Sequence, residues 1–132
     1  DYFVKVPQVV TLDDQGQFAL SDSKAIYVSY KLLGENHKNY VWMYAPDNSL
    51  APEIRKDDLM YIDPEDKDLD IDGYYVLSHS VHSKPFVRKV ALKGAELFLT
   101  TERDSNYIPY SEIEEKSIKV AGKVISISRY LQ

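Results

Sequence analysis

The stretch that decides the fold is residues 40–63, which read YVWMYAPDNSLAPEIRKDDLMYID. Two apolar runs in it, 40–44 and 59–62, have the aromatic and aliphatic composition of short buried strands. Between them, Pro46 and the polar residues that follow end the first run and predict a turn. The stretch therefore indicates two strands joined by a polar connection that carries a serine, Ser49.

Further strand-like runs recur on both sides of this stretch, with turns between them and little helical periodicity. These runs lie at 26–33, 74–78, 86–92, 96–100 and 118–127. Lys93-Gly94 predicts a hairpin, because glycine readily adopts the backbone angles that a tight turn needs. The pattern predicts a mainly β domain with curved sheets, a partly closed β-barrel and few short helices.

The 132 residues fit one domain, which we divide into two segments. In residues 1–25, turn formers alternate with short apolar runs, which predicts a linker or N-terminal arm with short strands. Residues 26–132 are predicted to form the body of the domain. Because the chain begins with Asp1 rather than Met, we expect an upstream part to be missing from it.

Composition and charge exclude several classes of function. The formal net charge of −5 argues against a surface that holds nucleic acid by itself. The chain has no cysteine, so disulfides and thiolate metal sites are excluded, and no apolar run approaches membrane-spanning length. His37, His79 and His82 lack a third ligand at fixed spacing, and the acidic loop 65–72 lacks the ligand alternation of a calcium site. We therefore expect no metal, no cofactor and no membrane contact.

Five features from residue 40 onward follow the order and spacing of the LexA-like peptidase signature. They are the segment around Ser49, Asp72-Gly73 before a strand, the strand 86–90, the run Asp104-Ser105-Asn106-Tyr107, and the strand 120–124 with its Val-x-Gly-x-Val pattern. Over residues 40–128 the sequence resembles the C-terminal domains of LexA, the UmuD-like proteins and the lambda-type phage repressors. The resemblance implies the serine-peptidase fold of that family.

In active members of this family a serine hydroxyl attacks a peptide bond, and a neutral lysine accepts its proton. The resemblance places Ser49 at the nucleophile position and Arg88 at the position of the lysine. Arginine stays protonated in proteins, so it cannot act as that base. Lys89 is the alternative base, but neighbouring strand residues point to opposite faces, so we expect it to face away from Ser49 if Arg88 faces it. Whether the chain is an enzyme stays open, and the degenerate dyad favours an inactive one.

Further departures from the family concern the cleaved bond and the serine segment. Self-cleaving members are cut at an Ala-Gly or Cys-Gly bond upstream of the serine, where this sequence has Gln15-Gly16 and Leu33-Gly34. Its single Ala-Gly pair, Ala121-Gly122, lies within the last predicted strand. Leu50 stands where Met is usual, and Asp57 stands where Gly is usual.

The resemblance implies a C-terminal domain that dimerises or oligomerises a phage-type transcriptional repressor in the bacterial cytoplasm. Operator DNA would be bound through a missing N-terminal helix-turn-helix domain, and residues 118–130 are expected at the interface between copies. If self-cleavage is lost, we expect an antirepressor protein to control the repressor. Two alternatives stay open: an active self-cleaving Ser-Lys peptidase induced by RecA, and a UmuD-like polymerase accessory subunit.

Overall fold

The computed structural model describes residues 3–33, 39–79, 84–102 and 107–129. Within these ranges the chain forms nine β-strands, one four-residue helix and one 3-10 turn. The strands are β1 Phe3–Leu12, β2 Phe18–Ser29, β3 Val41–Tyr44, β4 Leu59–Asp63, β5 Tyr74–His79, β6 Phe86–Lys93, β7 Glu96–Thr100, β8 Ile108–Pro109 and β9 Ile118–Ser128. The helix α1 is Tyr30–Leu33, and the 3-10 turn is Tyr110–Glu112.

The described strands form one sheet in the order β2-β1-β3-β4-β9-β5-β6-β7-β8. The pairing of β1 with β3 is parallel, and the others are antiparallel. The prediction of a mainly β domain with few short helices is confirmed. The sheet is not closed, because β2 and β8 lie at its opposite edges. Gly94, with a φ of 65°, makes the predicted hairpin between β6 and β7.

The central strand β9 pairs with β4 along one edge and with β5 along the other. Register shifts interrupt both pairings, between Tyr61 and Ile62 and between Val76 and Leu77. Such irregularities bend strands and increase their twist, so the sheet curves around β9. Gly122 lies so close to β4 that an added Cβ would be 2.6 Å from the carbonyl oxygen of Asp63. This close approach explains the glycine in the Val-x-Gly-x-Val pattern.

Side-chain alternation divides the core between the two faces of the sheet. One face carries a buried cluster that includes Val76 and Val87, together with Leu50 from the connection between β3 and β4. The opposite face carries a second cluster, to which Tyr75 and Val90 belong. Strand β6 therefore contributes to both faces, and its consecutive residues have different surroundings.

The N-terminal segment forms a hairpin of β1 and β2 that belongs to the sheet. Val6 and Leu12 in β1 are buried, and β1 meets β3 where Gln8 pairs with Trp42. Residues 26–33 were predicted as one strand, but β2 ends at Ser29 and α1 follows. The reason is local, because Ser29 Oγ accepts a hydrogen bond from the backbone N–H of Lys31 and so caps the helix.

Candidate active site

Ser49 lies in the connection between β3 and β4, and backbone hydrogen bonds hold the two ends of that connection together. The N–H of Ala45 donates to the carbonyl of Asp58 at 2.8 Å, and the N–H of Asp57 donates to the carbonyl of Ala45 at 3.0 Å. Leu50 and Ile54 are buried in the core and anchor the middle of the connection. Ser49 is thereby fixed to the sheet by the residues around it.

Side chains within the connection hold the turn that the sequence predicted after Pro46. The residues around Ser49 form turns rather than a helix. Asp47 Oδ1 accepts a hydrogen bond from the N–H of Ser49 at 2.9 Å, and Asn48 Oδ1 accepts one from the N–H of Lys56 at 2.9 Å. Asn48 thus joins two parts of the connection, because its side-chain oxygen accepts from a backbone donor eight residues further on.

Asp57 adopts a φ of 71°, in the left-handed region that favours glycine. This conformation explains why the family usually has glycine at the position. Aspartate tolerates it better than most residues do, because its short polar side chain can hydrogen-bond locally. Asp57, which replaces the usual glycine, therefore keeps the left-handed backbone conformation at this position of the serine segment.

A bidentate ion pair holds the connection to the C-terminal end of β9. Arg129 donates from Nε to Asp58 Oδ1 at 2.8 Å and from Nη2 to Asp58 Oδ2 at 2.6 Å. Asp58 also accepts from the N–H of Arg55 at 2.8 Å, and its side chain is 3% exposed. The hydrogen bond from Arg129 lowers the pKa of Asp58, while burial acts against it. We call this arrangement the Asp58–Arg129 clamp.

The structure brings Ser49 and Arg88 to the same atom. Ser49 Oγ lies 3.4 Å from the carbonyl oxygen of Val87 and donates to it, and Arg88 Nη1 donates to the same oxygen at 2.7 Å. The two residues that the sequence assigned to the nucleophile and base positions are therefore neighbours. A permanently protonated guanidinium can only donate here, so it holds no lone pair for the serine proton.

Arg88 is partly buried and incompletely paired. Its guanidinium carbon lies 5.1 Å from the ring centroid of Phe86, and its Nε is buried without a hydrogen-bond partner among the described residues. Burial lowers the pKa of Arg88, and the negative charge of Asp47 raises it. The side chain is thus held in place while part of its donor capacity is unused.

Lys89 has different partners from Arg88. Its Nζ lies 3.6 Å from Glu102 Oε1, and both side chains are about a quarter exposed or less. Strand alternation places Lys89 on the face of Val87 and Arg88 on the face of Val90. The N–H of Glu102 donates to the carbonyl of Ser49 at 3.0 Å, so this ion pair borders the serine segment as well.

Beside Arg88 lies a groove of about 630 Å³. Its lining residues are Pro46, Asp47, His79, Lys84, Pro85, Phe86, Arg88, Ile108, Lys116 and Ile118. We call it the Arg88 groove. It combines apolar side chains with several cations, and Asp47 at its edge connects it to the turn that carries Ser49.

Several residues that the sequence singled out lie elsewhere. His37, His82 and residues 104–106 fall outside the described residues. His79 lines the Arg88 groove. Among the described residues, no group of three or more His, Asp or Glu side chains could hold a metal ion. In the same part of the chain, no helix is long and apolar enough to cross a membrane.

Neither the Asp58–Arg129 clamp nor the contacts of Glu102 with Lys89 and Ser49 were predicted from the sequence. Arg129 is separated from Asp58 by 71 positions, so no local spacing connects them. The one available signal was Asp58 itself, because it directly precedes an apolar strand. The structure shows that the Asp58 side chain is buried. A buried carboxylate needs a partner, but its identity depends on the topology.

Comparison with known proteins agrees with this geometry. The model of the Peptidase S24-like family matches residues 9–125. Because the match covers most of the sequence, the chain belongs to this family, which includes LexA, UmuD and the C-terminal domains of phage repressors. Among curated proteins no match is found. The resemblance predicted from the sequence is confirmed.

Proposed function

We propose that this chain is the assembly domain of a phage-type transcriptional repressor that does not cleave itself. The observation that carries the proposal is the position of Arg88, which shares the carbonyl oxygen of Val87 with Ser49. A peptidase of this family needs a neutral lysine at that place, and arginine cannot supply a free base. We therefore infer that the function of the domain is protein–protein assembly rather than cleavage of a peptide bond.

Lys89 does not readily replace the missing base. Its Nζ lies 3.6 Å from Glu102 Oε1, so the lysine is engaged in an ion pair with a carboxylate. The ion pair therefore favours a structural role for Lys89 beside the serine segment, which Glu102 contacts through its backbone N–H. On this proposal, Ser49 is a residue inherited from active peptidases that no longer acts as a nucleophile.

Without peptidase activity, such a domain can serve a repressor by joining copies of the protein whose DNA-binding domains lie elsewhere in the chain. The net charge of −5 favours DNA contact through another part of the protein. Joining two weak DNA-binding domains raises their apparent affinity through effective concentration. The proposed interface at residues 118–130 would have to use side chains on a face of the sheet, because both edges of β9 are already paired. Ile125, which is 36% exposed, is available for such a contact.

Control by an antirepressor protein is part of the proposal, because a repressor that does not cleave itself needs another route of inactivation. Such a protein would bind the domain and disturb its assembly or the DNA contacts of the full-length repressor.

Incubation of the purified full-length protein tests the first half of the proposal. We expect it to stay intact by mass spectrometry from neutral pH to about pH 10, where lysine begins to lose its proton, with and without activated RecA. Cleavage that Ser49→Ala abolishes and Arg88→Ala leaves intact would show an active Ser49–Lys89 peptidase instead.

Sedimentation tests the second half. We expect the full-length protein to form dimers or larger oligomers, and we expect Ile125→Asp to weaken them. A protein that stays monomeric throughout its working concentration range would contradict the assembly function.

A further inference from the structure

We propose that the Arg88 groove binds an acidic side chain in an extended segment of a second protein, with Arg88 receiving its carboxylate. The inference rests on the proposed function, because it assigns Arg88 to binding rather than to catalysis.

The charge of the groove is opposite to that of the chain as a whole. Arg88, Lys84 and Lys116 line the groove, whereas Asp47 is the one carboxylate among the lining residues that the structure describes. Lys116 also lies 3.7 Å from Glu112, which offsets part of its charge. The groove therefore has a local excess of positive charge in a chain whose net charge is −5. Such a patch attracts acidic partners and repels basic ones.

Arg88 is prepared to receive a carboxylate. A guanidinium has five N–H donors in a fixed plane, and one of its Nη1 bonds goes to the carbonyl of Val87. The Nε is buried and has no partner among the described residues, so a ligand in the groove must use the remaining donors on the two Nη atoms. Contact with the ring of Phe86 restricts the plane of the guanidinium. A carboxylate can bind such a group through two parallel hydrogen bonds.

The rest of the groove indicates a peptide rather than a free anion. Phe86, Ile108 and Ile118 provide an apolar lining around the cations. A phosphate or a nucleic-acid backbone has no apolar group to place against these side chains. An acidic residue flanked by aliphatic residues can fill both parts of the groove, which commits the proposal to a protein segment.

Titration of the isotope-labelled chain with two blocked peptides tests the inference by nuclear magnetic resonance. The peptides are acetyl-Ala-Leu-Glu-Leu-Ala-amide and its analogue with Gln in place of Glu. We expect the Glu peptide to bind about tenfold or more tightly than the Gln peptide, since a charge-assisted pair distinguishes them. The shifted signals should belong to residues that line the Arg88 groove.

Variants assign this preference to Arg88. We expect Arg88→Gln to remove the preference for Glu, and Arg88→Lys to retain part of it through the remaining charge. Lys24→Gln is the matched control, because Lys24 lies in β2, outside the groove, and its substitution should change nothing. The spectrum of each variant shows directly whether it folds.

Several results would overturn the inference. They are equal binding of both peptides, an undiminished preference in Arg88→Gln, tighter binding of inorganic phosphate than of the Glu peptide, and self-association of the chain that Arg88→Gln abolishes. A Gln peptide with a free C-terminal carboxylate that binds as well as the Glu peptide would also contradict it. Self-cleavage of the protein would defeat the proposed function, whereas an intact protein without peptide preference would defeat the groove inference alone.

Discussion

Arg88 and Arg129 both approach the segment that carries Ser49, but they meet different surroundings. Arg129 forms two short hydrogen bonds to one buried carboxylate and further contacts the carbonyls of Pro52 and Glu53. Arg88 contacts one carbonyl, an aromatic ring and the charge of Asp47, and its buried Nε has no partner among the described residues.

The difference separates a structural arginine from one that is available to a ligand. The Asp58–Arg129 clamp satisfies its members within the fold, so its removal should damage the fold. Arg88 is desolvated without full compensation, which is typical of a position kept for binding rather than for stability. Substitutions in the clamp and substitutions of Arg88 should therefore change the free energy of unfolding in opposite directions and by different amounts.

The largest expected effect is that of Asp58→Ala. The change removes the acceptor of three hydrogen bonds and leaves the N–H of Arg55 and the guanidinium of Arg129 without it. We expect the free energy of unfolding to fall by about 2–4 kcal/mol, measured by urea denaturation. Asp68→Ala, on the exposed acidic loop, is the control and should stay within about 0.5 kcal/mol. Equal losses in the two variants would show that the clamp does not stabilise the fold.

Acid should weaken the same clamp. Because Arg129 lowers the pKa of Asp58 in the folded chain, the stabilisation is fully present above the ordinary aspartate pKa of about 4. It is lost as the pH falls through the lowered folded pKa, since the unfolded chain binds that proton more readily. Thermal unfolding of the wild type and Asp58→Asn should therefore differ most at neutral pH and converge in acid. A difference that is independent of pH would contradict this linkage.

Replacement of Arg88 should change the free energy of unfolding in the opposite direction. Arg88→Met keeps most of the volume and removes a desolvated cation whose Nε lacks a described partner. We expect the free energy of unfolding to stay unchanged or to rise by up to about 1 kcal/mol. Thermal unfolding measures this, with Arg129→Met as the comparison that should be clearly destabilised. A loss of stability in Arg88→Met as large as that in Arg129→Met would erase the distinction between the two arginines.

The smallest effect is expected from Lys89→Gln. The ion pair with Glu102 is long, at 3.6 Å, and both partners are reached by water. Pairs of this kind contribute little, so we expect a loss of less than about 1 kcal/mol by urea denaturation. A loss comparable with that of Asp58→Ala would mean that Lys89, and not the clamp, holds the serine segment.

The sequence predicted most of the strands because their signals are local. The apolar runs 59–62, 74–78, 86–92 and 96–100 all became strands, and Gly94 adopted the angle that its hairpin requires. The run 26–33 was misassigned, because one serine hydroxyl turned its second half into a helix. Strand composition alone does not reveal such a capping bond.

The site was predictable only where the family pattern supplied spacing. Ser49 and Arg88 were assigned by the resemblance, and the structure places them at a common carbonyl. Glu102 and Arg129 reach the serine segment through pairings that are distant in sequence, so no local pattern could indicate them. The pairing of a buried charge depends on topology more than on composition.

The position of β9 in the sheet has a consequence for the order of folding. Without this strand, the described sheet would divide into β2-β1-β3-β4 and β5-β6-β7-β8. These two halves follow each other in the chain, whereas β9 comes after both of them. During synthesis each half can form its hairpins early, but they join only when residues 118–128 leave the ribosome. Such late, non-local pairing slows folding, and until then β4 and β5 each expose an edge that can pair with another chain.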